Sequence, residues 1–267
     1  FSGMLVALLL IYIAYTYFAG RVSYDAFVIP LPQGGIGPAY GLTNTPFADN
    51  ESKSDKEVVS EKVCLDVPYL SQEDVLPNGC EAASAIMLLR AQGVDVTVEQ
   101  FLSEFLPQQP VIVQNRKRYG PDPAQAYAGD PTSETGGWGC YAPVITKALG
   151  EAVNDPSRAL DLTGCPLESL CQDYIDAGIP VAVWATVGME PVTKLDQWYA
   201  YESGESIFYP NTEHCLVLVG YDGENYYFND PYESKGLTAY PKGIVRQRYH
   251  DLGMQAAVLL PADVSAE

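Results

Sequence analysis

His214-Cys215-Leu216-Val217-Leu218-Val219-Gly220-Tyr221 is an almost unbroken apolar run ending at the turn signal Asp222-Gly223, from which Asn225-Tyr226-Tyr227-Phe228-Asn229 returns. Such a run reads as a buried strand, and the return segment as its hairpin partner. Ile179 to Val187 is a second buried apolar run. The late part of the chain is therefore expected to be sheet.

Helical signals come earlier. A short strand is expected at Val63 to Val67, and after Pro77-Asn78-Gly79 the segment Cys80-Glu81-Ala82-Ala83-Ser84-Ala85-Ile86-Met87-Leu88-Leu89-Arg90 favours helix. Asn78 suits the N-cap, and Gly93 suits the stop. Further helices fit Val98 to Leu106, Ala142 to Leu149 and Leu167 to Ala177, while Tyr119 to Gly139 is irregular and too long for a neutral connection. Helices early and strands late predict an α+β domain.

That domain is expected over 62–267. Residues 1–20 carry no charge, and a helix of about 20 residues spans a bilayer core. They are read as a transmembrane anchor, with a cleaved signal peptide as the alternative. Residues 21–61, first rich in proline and glycine and then polar and charged, read as a flexible stalk.

A net charge of 15 − 34 = −19 argues against nucleic-acid or anionic-membrane binding by the soluble part. The chain has six cysteines and two histidines, with no CxxC pair and no zinc-type spacing. No metal and no cofactor are expected. If one thiol is catalytic the other five cannot all pair, so most are expected to be small buried hydrophobes.

One cysteine and one histidine stand in settings that suit chemistry. Cys80 opens a helix, where free N–H groups and the macrodipole favour an anion and lower a thiol pKa. His214 opens the apolar run about 130 residues later, the chain order of papain-like thiol enzymes. In the hairpin a two-residue turn sets His214 opposite Pro231, and a three-residue loop sets it opposite Asp230. Either register leaves that carboxylate near enough to hold the imidazole. His250 lies in a polar segment and reads as surface. Trp184 reads as core. Trp138, between glycines, reads either as a wall of a substrate groove or as structural.

Five segments together carry a specific resemblance: Asp66-Val67-Pro68-Tyr69-Leu70-Ser71-Gln72, Asn78-Gly79-Cys80-Glu81-Ala82-Ala83-Ser84, Gly137-Trp138-Gly139-Cys140-Tyr141-Ala142-Pro143-Val144-Ile145, Glu213 to Tyr221, and Asn229-Asp230-Pro231. Over about residues 62 to 260 the chain resembles the relatives of the double-glycine (bacteriocin-leader) cysteine peptidases, of the papain-like superfamily. The resemblance implies a papain-like fold in which the cysteine helix packs on an antiparallel sheet. It implies Cys80 as nucleophile, His214 as general base, Asp230 as orienting residue and Gln72 as oxyanion donor. The leader-processing members are fused to an ABC exporter, whereas this sequence shows no P-loop signature, so cleavage after a double glycine is not carried over.

The expected function is thus a single-pass, extracytoplasmic cysteine peptidase, secreted if its first segment is cleaved, acting on a peptide or protein substrate. Two alternatives share the site. One is a cell-wall peptide amidase or endopeptidase of the NlpC type, whose third polar residue is most often another histidine. The other is a non-catalytic peptide-binding module, which has no chemical need for all four residues.

Overall fold

The structure is a computed structural model that describes residues 62–73 and 75–262. The expected anchor and stalk lie outside the described residues, among which no helix is long and apolar enough to cross a membrane.

In chain order the elements begin with β1 (Val63–Cys64), α1 (Cys80–Ala91) and α2 (Val98–Gln100), the last prolonged by a wider turn at Phe101–Phe105. Next come β2 (Gln108–Gln109), β3 (Ile112–Gln114), β4 (Lys117–Gly120), β5 (Tyr127–Gly129), β6 (Gly137–Gly139) and α3 (Ala142–Ala152). Then follow β7 (Ala159–Asp161), α4 (Leu167–Leu170, prolonged at Cys171–Ile175), β8 (Val181–Thr186), β9 (Leu195–Ala200) and β10 (Ser206–Pro210). The last are β11 (Glu213–Tyr221), β12 (Asn225–Asp230), β13 (Gly236–Pro241), α5 (Lys242–Asp251) and β14 (Ala256–Leu259).

The main sheet runs β13-β12-β11-β8-β14-β7, with β1 on the end of β11, and every pairing in it is antiparallel. The expected α+β class with an antiparallel sheet is what forms. Helices cover both faces, which is why β8 and β11 are apolar at successive positions and do not alternate. Cys215, Val217 and Val219 belong to the core shared with α1 and α3, whereas Leu216 and Leu218 join α4 and α5 on the other face. All positions of α1 from Cys80 to Leu89 are buried. It is a central helix with no solvated side.

Three local expectations change. The N-cap of α1 is Gly79 with no side-chain cap, because Asn78 turns away and donates to the Ser133 carbonyl at 2.6 Å. The stop is as expected: Gly93 takes φ 73°, and the Gly93 and Val94 N–H groups donate to the Arg90 and Leu89 carbonyls in a Schellman closure. The first strand ends at Cys64, before the expected Val67.

The hairpin adopts neither expected register. Tyr221 pairs with Tyr226 and Val217 with Asn229, with a bulge between Leu218 and Gly220. The turn is wider because the Asp222 carboxylate accepts the Glu224 and Asn225 N–H groups at 2.8 and 2.7 Å. Gly220 is needed at the bulge, since a Cβ there would meet the Val63 carbonyl and, at 2.8 Å, the Cys64 Cα.

Two smaller sheets, β10-β9-β4-β3 and β2-β5-β6, occupy much of the stretch read as irregular and the segment before β11. Trp198, Tyr209 and Ala128 form their own small core.

Candidate active site

α1 delivers Cys80 to the foot of β11. Its sulfur accepts the Cys215 N–H at 3.4 Å, and its thiol donates to Glu81 Oε2 at 3.2 Å. No hydrogen bond joins Cys80 to His214 among the described residues. Gly79 permits the close approach, because a Cβ there would meet Leu76 side-chain carbons at 3.0 Å. The thiol is 6% exposed. Burial pushes it well above its ordinary range, and the Glu81 and Glu213 carboxylates push it further up. The expected lowering by the helix start is overturned in this resting arrangement, since desolvation of a thiolate outweighs the dipole.

His214, 1% exposed, precedes Cys215 on β11, and its Nε2 lies 2.8 Å from Asp230 Oδ1. This bond leaves Nδ1 as the nitrogen open to other work. Asp230 also accepts the Tyr232 N–H at 3.0 Å and the Tyr240 hydroxyl at 2.9 Å. Burial raises the Asp230 carboxyl, but these bonds, led by His214, outweigh it and hold the group below its usual range. Tyr232 sets its ring edge-on to His214 at 6.0 Å.

The segment carrying Gln72 is stitched to the one carrying Asp230. Asn229 Nδ2 donates to the Val67 carbonyl at 2.9 Å, Tyr69 Oη to the Asp230 carbonyl at 3.1 Å, and Gln72 N–H to the Pro231 carbonyl at 3.0 Å. Gln72 Nε2 donates to the Pro77 carbonyl at 3.1 Å, while its Oε1 is buried without a partner among the described residues.

Cys80, His214, Gln72 and Trp138 line one cleft of about 410 Å³, with Asp230 behind the histidine. Trp138 packs against Trp198 at 6.2 Å, and the Arg118 guanidinium lies 5.9 Å above its ring. Arg118 in turn pairs with Asp196 at 3.3 Å on the same cleft. Trp184 is fully buried and donates to the Cys140 carbonyl at 2.9 Å, a core residue as expected. His250 is exposed on α5 and does not line the cleft. All six cysteines are free, with Cys140, Cys171 and Cys215 buried, Cys165 half-buried and Cys64 exposed.

Sequence reasoning missed two carboxyls beside the thiol. Glu81 is fully buried, its Oε1 accepting the Cys140 N–H at 2.7 Å, and burial pushes it up to about 7. Glu213 is raised well above its usual range by burial and then by the Glu81 charge. Gly139, at φ 141°, leaves the space where Glu81 Oε1, Glu213 Oε2 and the Tyr209 hydroxyl converge. Both carboxyls had a signal. Glu81 is the one charge among the first ten residues of α1, and Glu213 immediately precedes the histidine of the apolar run.

Three comparisons relate the chain to known proteins. Over 213 residues the chain is 29% identical to the uncharacterised protein YvpB of Bacillus subtilis (strain 168), spanning 79% of this chain and 81% of that one. A crystal structure of a proposed C39-like peptidase from Bacillus anthracis superposes with a TM-score of 0.67 at 26% identity, covering 77% of this chain and all of the other. The match that names the group runs through the Cys80 helix, the glycine-flanked Trp138 strand and the β11–β12 hairpin. Residues 64–257 match the Peptidase_C39 like family, and the chain belongs to it.

Proposed function

We propose that this chain is a membrane-anchored, extracytoplasmic cysteine peptidase that hydrolyses peptide bonds through Cys80, His214 and Asp230. The observation that carries the reading is the junction at the foot of β11: the Cys215 N–H holds the Cys80 sulfur while the preceding residue, His214, is fixed by Asp230 at 2.8 Å. In the reaction the thiol leaves Glu81 and gives its proton to His214 Nδ1. The thiolate attacks the substrate carbonyl. The Gln72 amide and the Cys80 backbone N–H stabilise the oxyanion. Collapse gives a thioester, with His214 passing its proton to the leaving amine, and water then hydrolyses the acyl-enzyme. Trp138 serves as one wall for the peptide.

The cell-wall amidase reading uses the same thiol chemistry, but the residue that orients His214 is a carboxylate and His250 is exposed elsewhere. A binding module has no use for an imidazole held so tightly.

The test is labelling of the full chain with an irreversible thiol-directed peptidase inhibitor, with the modified residue mapped by mass spectrometry. Modification at Cys80, lost in His214→Ala, supports the reading. Modification of Cys140 or Cys215 first, with Cys80 untouched, overturns it. Cys80→Ala and His214→Ala each abolish hydrolysis, and the double variant is scarcely worse, because the two act as a unit. The anchor is tested by fractionation: the full chain sediments with membranes, whereas recovery in the culture fluid starting just after Gly20 makes residues 1–20 a signal peptide.

A further inference from the structure

We infer that Cys80, Glu81 and Glu213 form a site for a thiophilic divalent cation of the zinc class, which reversibly locks the thiol; the lock rests on the peptidase reading above. One donor atom from each residue lies within 4.8 Å of the others, and all three residues are buried. Cys80 Sγ lies 3.2 Å from Glu81 Oε2. Tetrahedral zinc, with bonds of about 2.3 Å to sulfur and about 2.0–2.2 Å to oxygen, sets its ligands roughly 3.5 Å apart. Donors within 4.8 Å of one another close on an ion once side chains move by about 1 Å.

A second observation points to a ligand. Glu213 is 8% exposed and its carboxyl is one corner of the triangle; the Tyr209 hydroxyl serves this carboxyl, but its Oε1 has no hydrogen-bond partner among the described residues. A buried carboxyl oxygen left unpaired is unfavourable, and a bound cation would satisfy it. The carboxyl of Glu81 is already oriented, since Oε1 is committed to the Cys140 N–H and Oε2 faces the sulfur. The cleft supplies the route, because Cys80 and Glu213 both line it, and it can supply a water as fourth ligand.

The donor set selects the metal. A thiolate with two carboxylates suits Zn²⁺, Cd²⁺ or Co²⁺, whereas Mg²⁺ and Ca²⁺ require oxygen donors throughout. Binding forms one metal–sulfur and two metal–oxygen bonds and releases the thiol proton, together with any proton held by the carboxyl pair, to solvent. No electron is transferred. Metal-bound sulfur is withdrawn from His214 and cannot attack a carbonyl, and a chelator restores it.

Co²⁺ titration of the purified full chain tests the site. A thiolate-to-cobalt charge-transfer band is expected in the wild type and absent in Cys80→Ala. Glu213→Gln, an isosteric change whose folding is checked by circular dichroism, weakens Co²⁺ binding by about tenfold or more. Cys64→Ser leaves the band intact. Zn²⁺ is expected to protect Cys80 from alkylation, and EDTA to remove the protection. A band that survives Cys80→Ala, or alkylation of Cys80 unaffected by Zn²⁺, overturns the site. The two readings fail separately. Inhibitor labelling of Cys80 without Zn²⁺ protection removes only the metal site, and Co²⁺ binding by a wild type whose Cys80 still resists the inhibitor after EDTA removes only the peptidase.

Discussion

Glu81 Oε1 accepts the Cys140 N–H at 2.7 Å, tying the first turn of α1 to the end of β6 directly beneath the candidate nucleophile. Gly139 makes that approach possible. Its φ of 141° is one that side chains rarely adopt, and a Cβ would enter the space of Glu81 Oε1 and the Tyr209 hydroxyl. Gly139→Ala is therefore expected to lower stability by about 1–3 kcal/mol. The denaturant midpoint measures this. An unchanged midpoint would show that the close packing around Glu81 is not required.

Gln72 is expected to act in the transition state and little before it. One Nε2 hydrogen is spent on the Pro77 carbonyl at 3.1 Å, which orients the amide and leaves the second hydrogen for an oxyanion. Gln72→Ala should lower kcat by about 10²–10³ with KM near its original value. Full turnover in this variant would remove Gln72 from the chemistry.

The two tryptophans should separate binding from stability. Trp184 is fully buried with its indole N–H paired, so Trp184→Ala costs about 3–5 kcal/mol. Trp138 is half-buried on the cleft. Trp138→Ala should raise KM several-fold while changing stability by less than about 1.5 kcal/mol. The reverse ranking in melting temperature and KM would make Trp138 a structural residue.

The elements legible in the sequence are those with a one-dimensional signal. α1, β8, β11 and β12 announce themselves through apolar runs, and the candidate residues Cys80, His214 and Asp230 stand at the ends of these elements. The sheet β10-β9-β4-β3 is hidden because its strands are short and mixed in polarity. The pairing of Tyr119 with Tyr199 also joins parallel strands far apart in the chain. α5 is hidden too, since only Val245, Arg248 and Tyr249 of its charged sequence are buried. The hairpin register was missed because one side chain, Asp222, widens the turn and a close crossing by β1 bulges the strand at Gly220. Glu81 and Glu213 meet only once α1 and β11 are packed, and no spacing rule for cysteine and histidine finds them.

Asp230 links the site to acid sensitivity. Burial alone would raise its carboxyl, but bonds from His214, the Tyr232 N–H and the Tyr240 hydroxyl outweigh this and hold it below the usual range. The folded chain thus releases this proton more readily than the unfolded chain. The stabilisation is present above the unfolded pKa of about 3.9 and is lost as pH falls through the lower folded value. Each unit of depression contributes about 1.4 kcal/mol above that window. Asp230→Asn, which cannot ionise, should be less stable than the wild type at pH 6, and the two should converge as pH falls below about 4. Its kcat at neutral pH should fall by up to about 10⁴, because an amide does not stabilise the imidazolium that forms on His214. His250→Ala should change neither quantity. Urea midpoints between pH 3 and 6, read beside kcat, decide the matter: a constant gap between Asp230→Asn and the wild type across that range would show that the carboxylate is not held in its charged form.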